Sequence, residues 1–241
     1  MFHSYTSFTA VDNYSIRYTL RNSIYAFHLS SMAQMSSPTP SKEIFDSGIF
    51  ESLNMKPVRL LHWKEKSQVF EVTMVSEPSS RKVVKRFSSL LDSEGCYRDD
   101  YGRICNEIAI MKSTSHPHIM TMDSAVRSVR DNSILICMPM CCNGTLSDRI
   151  RAGLDSYYIG LYFIHVASAM RYLHDKRIIH GDVKPGNIFI DGSNNATLAD
   201  FGSSFVLHPG QSTVMRWGGT RGYNGPELIQ PETSVNAFKV C

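Results

Sequence analysis

The stretch His180-Gly181-Asp182-Val183-Lys184-Pro185-Gly186-Asn187 decides how this 241-residue chain is read. It sets an acid, a base and an amide in a loop rich in Gly and Pro, straight after a long segment, Ser156 to His174, that reads as a helix. Thirteen residues beyond Asn187 comes Asp200-Phe201-Gly202. Between them, Ile188-Phe189-Ile190 and Ala196-Thr197-Leu198 read as short strands around a turn at Asp191-Gly192.

Phosphoryl transfer needs few protein parts. One carboxylate accepts the proton of the attacking hydroxyl. An amide oxygen and a second carboxylate hold a divalent cation against the phosphates. A cation offsets charge on the moving group. Asp182, then Asn187 with Asp200, then Lys184 could fill these roles. Each short match alone would be weak, because Asp and Asn ordinarily serve loops as capping residues. Their order and spacing together carry the reading. His180 reads as a buried, hydrogen-bonded histidine rather than a catalyst.

On these residues the chain resembles the eukaryotic-type Ser/Thr protein kinases. The family's catalytic loop is His-Arg-Asp, with Lys two residues and Asn five residues further on; here it is His180, Gly181, Asp182, Lys184 and Asn187. The metal-binding Asp-Phe-Gly is matched without change by Asp200-Phe201-Gly202. Gly219-Thr220-Arg221-Gly222-Tyr223-Asn224-Gly225-Pro226-Glu227 is similar to the segment that closes the family's activation loop. The resemblance implies that Thr220 hydrogen-bonds Asp182 and Lys184. It also implies catalytic roles for Asp182, Lys184 and Asn187, and magnesium held by Asn187 and Asp200.

Upstream, Lys82-Val83-Val84-Lys85 stands where the family has Val-Ala-Ile-Lys, and Glu107 on a helix before His116-Pro117-His118-Ile119 would pair with Lys85. The implied nucleotide site is Lys85, Glu107, Val72, Val83, Pro139, Cys141 and Phe189. Met138 would be its gatekeeper, and Met111, Met122, His180 and Phe201 would form a stacked spine. ATP and Mg2+ are the implied cofactors, and a protein presenting Ser or Thr is the implied substrate. The expected fold is α+β and bilobal: a strand-rich N-lobe over 56–140 and a partial helical C-lobe over 141–241 that lacks its last helices.

The sequence also departs from the family. Aligned on Val72, the glycine-rich phosphate loop becomes Glu65-Lys66-Ser67-Gln68-Val69-Phe70-Glu71-Val72, and no glycine occurs between Gly48 and Gly95. Glycines let a backbone approach phosphates closely, so a Phe and a Glu there should weaken ATP binding, the Glu by like-charge repulsion. Gly181 replaces the arginine that docks a phosphorylated activation loop, so activity should not depend on phosphate at Ser212 or Thr213. Gly225 replaces an alanine. Phe238 to Cys241 falls where the family's next helix begins, with Cys241 in place of an aspartate. These departures sustain an alternative expectation, a pseudokinase or truncated binding module. They also suggest a partner covering the incomplete C-lobe.

Composition sets the remaining bounds. Lys+Arg is 25 and Asp+Glu is 22, a formal charge of +3, which is too balanced to argue for nucleic-acid binding. A hydrophobic share of 42% allows a sizeable core, and no apolar run reaches a membrane span. Tyr157 to Met170, the best candidate, reads as a buried helix. The six cysteines contain no CxxC pair, which argues against zinc, and with no clear secretory signal a cytoplasmic or nuclear location is expected. Residues 1–55, rich in Ser, Thr and Tyr and carrying Ser36-Ser37-Pro38-Thr39-Pro40-Ser41, are expected to be a disordered extension. Gln68 to Val75 and Lys82 to Phe87 should form a hairpin. Asn106 to Ser113 should be helical, and Ser133 to Cys142 a buried strand.

Overall fold

The computed structural model describes residues 6–7, 48–64, 66–88, 90–91, 96, 100–128, 131–215, 219–225 and 234–236. They fall into two compact units. One holds residues 6–7, 48–96 and 121–140; the other holds 100–120 and 141–236.

The first unit is an antiparallel sheet. Its strands are β1 (Thr6–Ser7), β2 (Met55–Lys64), β3 (Ser67–Met74), β4 (Arg81–Phe87), β5 (Ser124–Ser128) and β6 (Ser133–Pro139), in the order β1-β5-β6-β4-β3-β2. Strand side chains alternate between faces, and the register sorts them. Phe70, Val72, Val84, Leu135 and Cys137 share one face, where they pack with Ile49, Phe50 and Met55. Phe50 meets Phe70 edge to face at 5.1 Å. Val69, Glu71, Val83, Lys85, Ile136 and Met138 share the other. The hairpin expected over 68–87 is present, with β3 starting and ending one residue earlier than expected and β4 starting one residue earlier.

Ordered structure begins before residue 56. The short helix α1 (Ile49–Ser52) buries Ile49 and Phe50 in the sheet core, so those residues cannot belong to a disordered extension. Four residues carry no readable period, which is why the sequence pattern misses them. The proline-rich stretch 36–41 lies outside the described residues.

The second unit is mainly helical. The helix α2 (Tyr101–Ser113) groups with this unit. Asn106 Nδ2 on α2 donates to the Ser204 carbonyl at 2.7 Å, and Ile119, just past the helix, bridges to Leu198. Helix α3 (Leu146–Arg151) starts with a capping box. Thr145 Oγ1 accepts from the Asp148 N–H while Asp148 accepts from the Thr145 N–H. Helix α4 (Ser156–Asp175) is capped by the Asp155 carboxylate on the Tyr157 N–H. It buries one stripe, Tyr162, His165, Ala169 and Leu173. Tyr157, Phe163 and Ile164 on its other side are exposed, so α4 is half-buried rather than buried throughout. No helix among the described residues is long and apolar enough to cross a membrane.

Short strands complete this unit: β7 (Ile178–Ile179), β8 (Ile188–Ile190), β9 (Ala196–Leu198), β10 (Phe205–Val206), β11 (Thr213–Met215) and β12 (Ser234–Asn236). Strands β8 and β9 pair over the expected residues. The turn between them closes on Asp191, whose carboxylate accepts from the backbone N–H of Ser193 and Asn195.

Histidines brace this unit in neutral form. His165 Nδ1 accepts from the Ala196 N–H at 3.1 Å, and its ring stacks on His118 at 3.9 Å. Burial and the neighbouring His118 push the His165 pKa down, and burial does the same for His116, His174 and His180. A folded-state pKa below the unfolded value means that the unfolded chain binds more protons in the interval between them. Stability contributed by these rings is therefore present near neutrality and is lost as pH falls below about 6.5, the unfolded histidine value. The melting temperature should drop as pH falls from 7.5 to 5.5. His165→Gln, which retains an acceptor for the Ala196 N–H, should flatten that dependence. A wild-type melting temperature constant over this range would contradict the reading.

Candidate active site

Residues 180–187 turn sharply after β7 and converge on one carboxylate. Asp182 Oδ2 accepts from Lys184 Nζ at 2.6 Å and from Asn187 Nδ2 at 3.1 Å. Asp182 Oδ1 accepts from the Thr220 hydroxyl at 2.6 Å. Lys184 Nζ also donates to Thr220 Oγ1 at 2.7 Å. Lys184 is 4% exposed and Asn187 is wholly buried. Thr220 lies 38 residues from Asp182 in sequence, yet it makes both contacts that the family resemblance implies.

His180 fixes the base of the loop. It is wholly buried, its Nε2 lies 3.1 Å from the Ala199 carbonyl, and its Nδ1 accepts from the Asp182 N–H at 3.3 Å. Nε2 therefore carries the proton. Burial lowers the His180 pKa, as a ring that must remain neutral to accept at Nδ1 requires. Its ring lies 5.2 Å from that of Phe201, one contact within the expected spine. His180 is structural, and it ties Asp182 to Ala199, the residue before Asp200.

Asp200 is held beside this loop. The Ala199 N–H donates to the Asn187 carbonyl at 2.9 Å, and Ser204 Oγ donates to the His180 carbonyl at 2.8 Å. Asp200 adopts φ +66°, the left-handed region that non-glycine residues rarely enter. Such strain persists only where the surroundings impose it, and it concentrates at functional sites. The carboxylates of Asp200 and Glu107 both approach Gly202; a Cβ there would stand 3.4 Å from Asp200 Oδ1 and 3.7 Å from Glu107 Oε2.

The fit of this loop to a divalent cation rests on one atom. Asn187 directs Nδ2 to the backbone carbonyl of Asp182 at 2.8 Å as well as to its carboxylate. That orientation leaves Oδ1 buried without a hydrogen-bond partner among the described residues. A buried amide oxygen in this state costs stability unless something polar meets it. Magnesium takes oxygen ligands and characteristically needs only one or two protein groups beside phosphate oxygens and water. Among the described residues there is no cluster of three or more His, Cys, Asp or Glu able to enclose a metal, and the donor set of Asn187 and Asp200 suits a cation shared with phosphates.

The first unit presents Lys85 and Val83 on one sheet face, with Lys85 2% exposed and its Nζ 5.0 Å above the Phe87 ring. Val72 does not share that face. It pairs with Lys82, is wholly buried and belongs to the core with Ile49 and Phe50. Its place in a nucleotide site is withdrawn. Val69, directly opposite Lys85, is the valine on the correct face. Lys64 pairs with Ser67 across the preceding turn, so the loop stands three residues earlier than the alignment on Val72 puts it. With no glycines to anchor the alignment, two valines three apart compete, and only strand parity separates them.

Of the two glutamates in that stretch, Glu65, at the first glycine position, lies outside the described residues, and Glu71, on the Lys85 face, is neutralised by arginines. Glu71 is wholly buried, and its carboxylate pairs with Arg59 at 2.6 Å and with Arg81. The two guanidinium groups balance its charge locally. Phe70 points into the opposite core.

Of the remaining expected residues, Pro139 ends β6 opposite Lys82. Cys141 is buried, and its carbonyl accepts from the Gly144 N–H at 3.3 Å. Burial pushes the Cys141 thiol up to about 12 and that of Cys137 up to about 11, so both act as small apolar groups. Phe189 is half-buried on the face of β8 opposite Ile188 and Ile190. Glu107 is 4% exposed. Pro226, Glu227 and Cys241 lie outside the described residues, as do Glu65 and Gly95.

The chain matches the protein kinase domain over residues 64–239. It belongs to the protein kinase family. Its relatives include the cell cycle serine/threonine-protein kinase CDC5/MSD2 of Saccharomyces cerevisiae, 31% identical over 57% of this chain and 20% of that protein. They also include the human NUAK family SNF1-like kinase 2, 36% identical over 54% of this chain and 20% of that protein. A probable serine/threonine-protein kinase CHK1 homolog of Encephalitozoon cuniculi is 38% identical over 52% of this chain and 30% of that protein. The aligned part of the chain thus spans between a fifth and a third of these relatives.

The corrected face can be tested directly. Val72→Ala should cost about 1–3 kcal/mol of stability by opening a core cavity, read from denaturant unfolding, and should leave the affinity for a fluorescent ATP analogue unchanged. A selective loss of nucleotide affinity without loss of stability would restore Val72 to the site.

Proposed function

We propose that this chain transfers the γ-phosphoryl group of ATP, with magnesium, to Ser or Thr hydroxyls of proteins. The observation that carries the reading is the Asp182 carboxylate, held by Lys184, Asn187 and Thr220, beside an amide oxygen of Asn187 that nothing among the described residues satisfies. Asp182 would accept the proton of the substrate hydroxyl. Lys184, already within reach of the same carboxylate, would offset charge on the transferred group. Asn187 and Asp200 would hold magnesium, which when bound neutralises charge on the nucleotide phosphates. Lys85 would contact the phosphates from the strand-rich unit. Family membership supports protein substrates, and the Lys184–Thr220 contact favours Ser/Thr acceptors.

A second reading has its own observation. Lys64 pairs with Ser67 in a tight, glycine-free turn, and Gln68 Nε2 donates to the Lys64 carbonyl at 3.2 Å and to Ser88 Oγ at 3.3 Å. A turn tied down in this way favours weak nucleotide binding and a pseudokinase that acts by occupying partners.

The discriminating experiment measures transfer from radiolabelled ATP to a generic Ser/Thr protein with magnesium. Asp182→Asn should lower the rate by roughly 10²- to 10⁴-fold, the range for loss of a general base, and Asp200→Asn should do likewise. Transfer that survives Asp182→Asn would overturn the assigned base. No transfer by folded wild-type protein at high ATP would decide for the second reading.

A further inference from the structure

The segment after Asp200-Phe201-Gly202 is held to the end of α4 and to β7 by backbone and guanidinium contacts. Strand β10 pairs with β7, and the Leu207 N–H donates to the Arg177 carbonyl at 2.8 Å. His208-Pro209-Gly210-Gln211 then forms a turn closed by the Gln211 N–H on the His208 carbonyl at 3.0 Å. Proline at its first central position and Gly210 at φ +81° at its second are the type II signature. The Gln211 side chain closes the turn again, with Oε1 accepting from the His208 N–H and Nε2 donating to the Thr213 carbonyl, both at 3.1 Å.

This turn aims three carbonyls at one guanidinium. Arg177 donates from Nη2 to His208 O and to Gln211 O, each at 2.7 Å, and from Nε to Leu207 O at 3.4 Å. A guanidinium is a planar fork of donors, and its bonds to carbonyls are charge-assisted. Arg177 itself stands at φ +58°, just past the end of α4, where glycine or asparagine is the ordinary choice. The strained backbone is accepted at a position whose side chain makes three long-range contacts. Four residues on, Gly181 at φ +79° has no side chain with which to reach a phosphorylated residue.

We propose that Arg177 is a positioning residue that clamps residues 205–213 through their backbone carbonyls, so that this segment is ordered without phosphorylation of Ser212 or Thr213. Its regulatory meaning, constitutive order of the segment next to the catalytic loop, rests on the kinase reading. The clamp itself does not.

Hydrogen–deuterium exchange on the full chain, expressed without phosphorylation, tests it with no need for turnover. Peptides covering 207–213 should be protected in the wild type. Arg177→Gly, which relieves the positive φ while deleting the guanidinium, should speed their exchange by roughly ten- to a hundredfold. Peptides from α4 in the same sample should not change. Arg177→Lys, a point charge without the fork, should fall between the two. Ser212→Ala with Thr213→Ala should exchange like wild type. The proposal is overturned if Arg177→Gly leaves 207–213 protected, if α4 loosens equally, or if the double alanine variant loses protection.

Discussion

The carboxylate of Asp182 is the point on which the second unit turns. It collects a cation, an amide and a hydroxyl from three places in the chain, and each partner is committed elsewhere as well. Lys184 joins it to Thr220, and Asn187 joins it to its own backbone carbonyl. A half-buried carboxylate with this many donors is held in one orientation. The same donors set the geometry of the groups that would meet a nucleotide. Satisfying Asp182 in this way uses both donors of Asn187 and leaves its oxygen over. The unsatisfied atom is thus a consequence of the network.

Support for that network comes from neutral histidines and short strands. His180 accepts from the Asp182 N–H and engages the Ala199 carbonyl, so the Asp182 loop and the residue before Asp200 share one ring. His165 holds Ala196 from α4, two residues before the Leu198 that bridges to Ile119. Burial disfavours charge on both rings. The arrangement depends on each ring keeping a lone pair at Nδ1. The strand-rich unit achieves order differently, with an apolar core on one sheet face and, on the other, a buried Glu71 balanced by two arginines.

The cluster around Asp182 was legible in the sequence because its parts are local and chemically specific: Asp182, Lys184 and Asn187 stand within six residues of one another. Thr220 was legible through resemblance alone, since no local pattern connects it to Asp182. The strands β3, β4, β8 and β9 follow from β-branched runs bounded by turn residues. Legibility failed where the usual punctuation is missing. Without glycines before β3, Val69 and Val72 were equally good anchors, and an offset of three residues reverses the face of a strand. Helix α1 was hidden because two apolar residues in four have no period. The Arg177 clamp was hidden because its partners are backbone carbonyls, which every sequence has. A signal existed nonetheless, in the Pro209-Gly210 turn placed shortly after Asp200.

On the proposed function, Asn187 Oδ1 would meet a divalent cation. Electron paramagnetic resonance of Mn2+, standing in for magnesium, can titrate the ion into the full chain at saturating ATP. Asn187→Ala is compared at matched stability, established by thermal unfolding. Mn2+ binding should depend on nucleotide and should weaken roughly tenfold or more in the variant. Equal Mn2+ affinity in a folded Asn187→Ala protein, or no nucleotide-dependent binding by wild type, would contradict it.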